Sequence, residues 1–183
     1  ENRKNVKAAI IVWDQQEKYL DRKHVIEAAW NWINMTIPVI SSTFASFSRM
    51  CKNLGAETLG HLFIDEAGQA LPQAAVGAIY RSRHVMVVGD PLQIKPVLTL
   101  DSNTLYMLGE HFGVTEKYLS ASASAQILAD AASQYGFYRK QDKAEDSWVG
   151  IPLWVHRRCR YPMFTISNMI SYDGFMVQGM EKY

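Results

Sequence analysis

The chain has 183 residues, 48% of them hydrophobic, and its 19 Lys and Arg residues are nearly balanced by 18 Asp and Glu residues. A formal net charge of +1 excludes a strongly basic protein that binds nucleic acid by charge alone, although it allows a local basic patch. The 11 Gly and 6 Pro residues are too few for a collagen-like or low-complexity chain. The composition therefore predicts one globular domain, or one domain and part of another.

Cysteine usage and hydropathy indicate the compartment. Cys51 and Cys159 are far apart in sequence and cannot by themselves form a zinc knuckle or a disulfide framework. No apolar run reaches the roughly 18 residues that a membrane span needs, and the first residues do not have the pattern of a secretory signal. We therefore expect reduced thiols, no membrane partner and a cytoplasmic protein.

In the first half of the chain, short apolar runs alternate with helical periodicities. The apolar runs predict strands at 8–13, 38–42, 62–64 and 85–88, and the intervening segments predict helices at about 19–33, 43–54 and 70–80. Alternating strands and helices are typical of a parallel sheet with helices on both faces, which is an α/β fold. In such sheets, functional residues gather at the carboxyl ends of the strands.

The second half has a different organisation. Helices are predicted at 102–112 and 123–135, followed by a mostly charged run at 139–147 that reads as a solvated loop or linker. A strand at 151–155 and a helix at 162–171 come next. We therefore divide the chain into a first domain at 1–138, a charged linker at 139–150, and the start of a second domain at 151–183.

Two adjacent carboxylates, Asp65 and Glu66, directly follow the third predicted strand. Consecutive side chains on a strand point to opposite faces, so the two groups can have different roles. Mg²⁺ prefers oxygen ligands and keeps several waters, which suits Asp65, and Glu66 could then orient or deprotonate a water. The alternative is that both residues occupy the N-terminus of a helix, where the helix dipole favours acidic side chains.

The fourth predicted strand runs into Gly89 and Asp90, and Gln93 follows three residues after the aspartate. Gly-Asp-Pro is a turn signal at the edge of the sheet. The amide of Gln93 could hydrogen-bond a phosphate oxygen without carrying charge. The alternative is an ordinary exit from the strand, with Asp90 as a turn residue.

Four segments together resemble superfamily 1 helicases, and most closely their Upf-like branch. Residues 63–70 read FIDEAGQA, which resembles the Walker B motif, and residues 87–97 read VVGDPLQIKPV, which resembles motif III. Residues 153–174, LWVHRRCRYPMFTISNMISYDG, are similar to the next motif of that branch, usually Gln-Tyr-Arg-Met-His-Pro followed by Asn and Tyr. Residues 39–46, VISSTFAS, resemble the element that contacts the single strand.

The resemblance implies a RecA-like, P-loop NTPase fold and the start of a second RecA-like domain. It implies ATP and Mg²⁺ as cofactors, single-stranded DNA or RNA as partner, and hydrolysis coupled to movement on the strand. The implied roles are Mg²⁺ binding for Asp65, catalysis for Glu66, nucleotide contacts for Gln69 and Asp90, γ-phosphate sensing for Gln93, an arginine finger at Arg158, and nucleic-acid contacts for Thr43 and Ser46.

The chain also departs from the family pattern. His156 and Arg157 replace the usual Gln-Tyr, and one additional residue precedes Pro162, so Arg157 remains an alternative finger. No G-x-x-x-x-G-K-[ST] phosphate-binding motif is present, and we therefore expect an interior segment of a helicase. Two other functions remain open: a catalytically silent, nucleotide-gated scaffold, and a metal-dependent phosphohydrolase that uses Asp65, Glu66 and Asp90.

Overall fold

The computed structural model describes residues 1–90, 94–98, 100–115, 118–119, 123–139 and 147–180. Within these ranges the chain forms seven α-helices and six short strands, which confirms a mixed α/β structure. The expected single parallel sheet is not present among the described residues, whose strands form only two-stranded sheets. The helices are α1 (Asn2–Asp14), α2 (Lys23–Thr36), α3 (Phe44–Met50), α4 (Pro72–Tyr80), α5 (Ser102–Phe112), α6 (Ala125–Ala132) and α7 (Met163–Ser171). The strands are β1 (Leu59–Ile64), β2 (Ser82–Val87), β3 (Phe137–Arg139), β4 (Ser147–Val149), β5 (Val155–His156) and β6 (Val177–Gln178).

The described strands pair into three separate two-stranded sheets. β1 and β2 are parallel, in a register that places Leu62 opposite Val85 and Ile64 opposite Val87. β3 and β4 are antiparallel, and β5 and β6 form a short parallel pair. Helix α4 provides the crossover that a parallel pair of strands requires.

Two predicted strands are wrong. The apolar run at 8–13 lies inside α1, where Ala9 is buried and Val12 packs on α2, while Ile10 and Ile11 face solvent. A short apolar run fits a buried strand and one face of a helix equally well, and here helix packing decides. The run at 38–42 is neither strand nor helix and is exposed.

The other predicted elements are present, several with shifted ends. The strands at 62–64 and 85–88 are confirmed as β1 and β2, and the helices at 70–80, 102–112 and 162–171 as α4, α5 and α7. The helices predicted at 43–54 and 123–135 correspond to α3 and α6, which are both shorter than predicted. Of the strand predicted at 151–155, only Val155 belongs to β5. Helix α5 begins after Asp101, whose pKa is lowered by hydrogen bonds from Thr104.

The first core joins the N-terminal helices to the segment that precedes β1. Its buried members are Ile26 and Trp30 of α2 together with Cys51 and Leu54. The rings of Trp13 and Trp30 meet edge to face at 6.3 Å. This packing fixes the helical hairpin of α1 and α2 beside α3.

The second core lies on one face of the parallel pair. Ile64 of β1 packs with Ala67, with Ala75 of α4 and with Ala125 of α6. Alanines on both helices allow their backbones to approach the sheet closely. This core holds the carboxyl ends of β1 and β2 in place.

The other face of the same strand pair is exposed. Phe63 is 67% exposed and Met86 is 57% exposed. The rings of His61 and His84 stack on this face with their centroids 4.9 Å apart. Parallel strands are normally covered on both faces, so this side of the pair lacks a cover within the described residues.

The segment that begins with β4 is attached to α6 through a buried carboxylate. Asp130 is 7% exposed, and its Oδ1 accepts hydrogen bonds from the backbone N–H of Gly150 (3.1 Å) and from Nε2 of Gln126 (3.0 Å). Arg139 of β3 pairs with Asp173 at 2.8 Å. In the segment predicted as a charged linker, 139–150, Arg139 of β3 pairs with Ser147 of β4. Residues 140–146 lie outside the described residues.

The chain exposes much apolar surface. Its accessible area is 13688 Å², against about 8,900 Å² expected for a folded monomer of this mass. Ile151, Leu153, Met169 and Ile170 are each at least 70% exposed. Across the ranges described, no helix combines the length and apolar character needed to cross a bilayer.

The two cysteines are free thiols in different surroundings, which predicts different reactivity. Cys51 is 1% exposed, and burial raises its pKa to about 11 despite the opposing effect of Arg81. We expect a thiol reagent at pH 8 to modify half-buried Cys159 at least ~100 times faster than Cys51 in the folded chain. Peptide mass analysis of a labelling time course measures this ratio. In denaturant the two labelling rates should become similar, because both thiols are then exposed to the reagent. Equal labelling rates in the folded chain would contradict the burial of Cys51.

Candidate functional site

The candidate site is formed by the loops that follow β1 and β2. Because Ile64 is paired with Val87, the two strands end in step. The N–H of Val88 donates to the carbonyl of Ile64 at 2.8 Å, and the N–H of Ala67 donates to the carbonyl of Val88 at 3.0 Å. These bonds continue the strand pairing into both loops and bring the Asp65–Gln69 loop against Asp90.

Two glycines allow this approach. A Cβ atom on Gly68 would lie 2.5 Å from the carbonyl oxygen of Asp90. A Cβ atom on Gly89 would lie 2.6 Å from the nitrogen of Gly68 and 2.7 Å from that of Ala67. Since these neighbours are backbone atoms, they cannot move aside as a flexible side chain can, and the contact requires glycine at both positions.

Glu66 has an unusual backbone conformation at this edge. Its φ of 52° and ψ of 38° place it in the left-handed region, which costs a non-glycine residue of the order of 1–2 kcal/mol. Oδ1 of Asp65 accepts the N–H of Glu66 at 2.9 Å, and Nε2 of Gln69 donates to Oε2 of Glu66 at 3.3 Å. The three predicted residues Asp65, Glu66 and Gln69 are thus brought together, and all three are exposed.

The helix-dipole alternative does not explain the acidic pair. Glu66 is followed by a single 3₁₀ turn, Ala67–Gln69, and not by an α-helix. Helix α4 begins only at Pro72, and its first turn contains no acidic residue. The dipole effect is confined to the first turn of a helix, so it does not reach Asp65 and Glu66.

Asp90 lies half-buried beside this loop, and its carboxylate accepts a hydrogen bond from the hydroxyl of Tyr172. Tyr172 lies just after α7, 82 residues along the chain. The structure therefore brings together Asp90 and the segment that the sequence assigns to a second domain. Gln93, predicted to contact the γ-phosphate, lies outside the described residues.

Thr43 and Ser46 lie together at the start of α3. Thr43 is the N-cap residue, and its Oγ1 accepts the N–H of Ser46 at 3.3 Å. The two hydroxyls are also hydrogen-bonded at 3.2 Å. Both residues are exposed, while the next residue, Phe44, packs into the core beneath β1. Helix capping explains their local geometry, and their exposure leaves them accessible to a partner.

Arg157 and Arg158 are presented by a short turn between β5 and α7. Nε2 of His156 accepts the N–H of Cys159 at 2.9 Å, which closes the turn. The stem of Arg157 lies against Gly179, where an added Cβ would be 3.1 Å from its Cγ. Both arginines are exposed, and within the described ranges Arg158 has no hydrogen bond or ion pair. The Arg157 side chain therefore lies beside the residue that follows β6, whereas that of Arg158 is exposed.

The acidic loop (Asp65–Gln69) offers few ligands for a metal ion. Among the residues that the structure describes, no three His, Cys, Asp or Glu side chains are close enough to hold a metal ion. Mg²⁺ bound with a nucleotide needs only one or two carboxylates, because waters and phosphates supply the other ligands. Asp65 could supply one such carboxylate, whereas a two-metal phosphohydrolase needs a richer set of ligands.

Sequence reasoning missed Gly68, Tyr172 and Asp130 as important residues. A glycine after an acidic pair at a strand end is a signal of close backbone approach, and it could have identified Gly68. Tyr172 falls within the motif-like segment at 153–174, but its partner is distant in sequence and no local pattern predicts it. The buried state of Asp130 is likewise a result of tertiary packing.

The glycine contact can be tested by adding one methyl group. We expect Gly68→Ala to lower the free energy of unfolding by about 1–3 kcal/mol, because its Cβ would overlap the carbonyl of Asp90. Gly60→Ala is the matched control, since Gly60 lies in β1 with no atom within 4 Å of the added Cβ. Urea unfolding of both variants measures the difference. Equal unfolding midpoints for the two variants would mean that the loops do not meet at Gly68.

Comparison with known proteins adds no assignment, because the chain matches no protein-family model, no curated protein and no solved structure. The geometry provides an exposed carboxylate pair, an adjacent amide, and a second loop in backbone contact with them.

Proposed function

We propose that this chain is part of an ATP-dependent superfamily 1 helicase or translocase. In this proposal, the parallel pair β1–β2 belongs to a RecA-like domain, and the segment from 151 onward begins a second one. One observation carries the proposal: the Walker B-like loop and the motif III-like loop meet in direct backbone contact at the carboxyl ends of parallel strands. A random coincidence of two short motifs would not be expected to place them there.

The acidic loop provides the hydrolytic groups. Asp65 would hold Mg²⁺, which when bound neutralises charge on the triphosphate. Glu66 would orient the attacking water and accept its proton, and Gln69 fixes the Glu66 carboxylate through its amide. The left-handed backbone of Glu66 supports this role, since strained conformations concentrate at functional sites.

The sequence lacks a phosphate-binding loop, so the proposed activity requires one from outside these 183 residues. The uncovered face of the β1–β2 pair is compatible with this requirement, because helices of a complete RecA-like domain would cover it. Thr43 and Ser46 are the candidates for contact with the sugar–phosphate backbone of single-stranded DNA or RNA. Their hydroxyls sit on α3, which packs against α4 beneath the same sheet.

Arg158 is the proposed finger for the γ-phosphate. A guanidinium offers planar, bidentate donors to a phosphate, and an exposed arginine on a second domain can reach the nucleotide when the cleft closes. Arg157 is less suited, because its stem lies against Gly179.

Catalysis by Glu66 predicts a loss of turnover with retained binding. In a polypeptide that joins this chain to a phosphate-binding loop, Glu66→Gln should reduce ATP turnover by about two to four orders of magnitude. Nucleotide affinity should stay within a few-fold, since the amide keeps the shape of the side chain. Glu57→Gln is the matched control, because Glu57 is also exposed with a positive φ of 54° but lies outside the loop.

Turnover and nucleotide binding should be measured side by side for both variants. The 183-residue chain alone is expected to show no turnover and sets the background. Normal turnover of Glu66→Gln would remove the catalytic role. A joined polypeptide that binds nucleotide but hydrolyses none would instead favour the catalytically silent scaffold.

The arginine assignment predicts unequal effects of two adjacent substitutions. Arg158→Lys should depress turnover strongly, since arginine fingers contribute on the order of 10³–10⁵ to the rate. Arg157→Lys should have a mild effect, and nucleotide affinity should change only a few-fold in either variant. Steady-state ATPase assays of the two variants decide between the arginines. The reverse order of effects would assign the finger to Arg157, and two small effects would exclude it from this turn.

A further inference from the structure

Tyr172 connects the segment from 151 onward to the motif III-like loop at Asp90. Its hydroxyl donates a hydrogen bond to a carboxylate oxygen of Asp90. The backbone carbonyl of Asp90 in turn packs against Gly68 in the acidic loop. The Tyr172 side chain therefore links the segment that presents Arg158, through Asp90, to the loop that presents Glu66.

The position of Tyr172 is fixed by the buried amide of Asn168. Asn168 is 9% exposed, and its Nδ2 donates to the carbonyl of Met176 while its Oδ1 accepts the N–H of Met176, both at 3.0 Å. The carbonyl of Asn168 also accepts the N–H groups of Tyr172 and Gly174. These four bonds hold the turn from α7 to β6, with Tyr172 at its start.

The same turn is connected to the arginine-bearing loop. The N–H of Val177 donates to the carbonyl of Trp154, and the N–H of Gly179 donates to that of His156, both at 2.8 Å. His156 in turn closes the loop that carries Arg158. Backbone hydrogen bonds therefore join the turn after Asn168 to the residues on which the Arg157–Arg158 turn is built.

A second contact holds the same end of α7. Nη2 of Arg139 donates to the carbonyl of Ser171 at 3.3 Å and to the carboxylate of Asp173 at 2.8 Å. Arg139 belongs to β3, outside the 151–180 segment. The end of α7 is thus held on both sides of Tyr172, which restricts the directions that its hydroxyl can take.

We propose that Tyr172 is a positioning residue that sets the distance between Arg158 and the Glu66 loop by holding Asp90. This inference rests on the proposed function for the roles of Arg158 and Glu66, but the contact itself does not. Tyr172 touches neither nucleotide nor reacting atoms in this account and acts through Asp90. Loss of the hydroxyl should weaken the link between the segment that carries Arg158 and the acidic loop while leaving each of them folded.

The contact is tested first in the 183-residue chain with a double-mutant cycle of Tyr172→Phe and Asp90→Ala. A hydrogen bond to a charged group should couple the two substitutions by about tenfold in the unfolding equilibrium constant. Asp90→Asn should give a smaller coupling, because its amide oxygen still accepts the hydroxyl proton. If Asp90→Ala fails to fold, the NMR comparison of Tyr172→Phe below tests the contact without changing Asp90. Independent effects of the two substitutions would overturn the proposal.

A spectroscopic measurement separates positioning from general stability. In amide NMR spectra of the same chain, Tyr172→Phe should shift the resonances of Ala67 and Gly68, which lie in the acidic loop. Tyr135→Phe is the matched control, because Tyr135 is 73% exposed and lies outside this contact. Shifts confined to α7 and β6 would contradict transmission through Asp90.

The functional part is tested in the polypeptide that also carries a phosphate-binding loop. Tyr172→Phe should lower kcat at least about tenfold and leave KM for ATP within a few-fold, which is the signature of a lost transition-state interaction. Coupling in the chain combined with normal turnover of Glu66→Gln would refute the proposed catalytic role of Glu66 and leave the contact intact. Loss of turnover in Glu66→Gln combined with an unchanged kcat in Tyr172→Phe would refute the positioning role alone.

Discussion

The backbone contact between Gly68 and Gly89 determines how the candidate site is arranged. Each glycine occupies a place where a Cβ atom would overlap main-chain atoms of the other loop. The strand pairing brings the loops to this distance, because Ile64 and Val87 are opposite each other and both strands end there. Parallel strands that end in step place the residues after them at a common edge, and a small residue on each side then permits contact.

The core beneath β1 and β2 supports this contact through small side chains. Ala75 on α4 and Ala125 on α6 are fully buried against Ile64 and Ala67. Large residues there would hold the helices away from the sheet and leave the loops without support. The N–H of Ala125 also donates to the carbonyl of Ala70 at 2.8 Å, so that α6 is attached directly to the end of the acidic loop. The packing of this core therefore helps to maintain the left-handed backbone conformation of Glu66.

Local sequence patterns predicted those elements whose ends are set by nearby residues, through capping and turn formation. Helix α5 was predicted with its observed ends, because Asp101 caps its first turn and Gly113 ends it in the left-handed conformation. The acidic pair was placed correctly at the end of β1, since a short apolar run followed by carboxylates is a clear strand exit. The resemblance to helicase motifs then identified the residues of both loops, but their function stays a prediction.

Non-local packing decided the parts that were wrong or missed. The run at 8–13 could be read as a strand, and only the partner surface of α2 makes it a helix with Ala9 inside. The carboxylate of Asp130 looks like an ordinary surface group in sequence, yet in the structure it satisfies the N–H of Gly150, 20 residues away. Tyr172 and Asp90 are 82 residues apart, and no periodicity or turn signal connects them. Distances of this kind depend on how the elements are assembled, which a single sequence does not encode in a readable pattern.

The distribution of exposed surface bears on the choice between the proposed helicase and the independent phosphohydrolase. An independent phosphohydrolase must enclose its reacting groups and supply several metal ligands, whereas Asp65 and Glu66 lie at an open edge, and the described residues offer them no third His, Cys or carboxylate ligand. A domain of the P-loop NTPase type needs fewer ligands, because the nucleotide brings its own phosphates. Such a domain would also cover the exposed Phe63 and Met86 of the β1–β2 pair with further elements. Under the proposed function, the uncovered sheet face and the sparse ligand set would share one explanation, whereas an independent hydrolase would need a separate explanation for each.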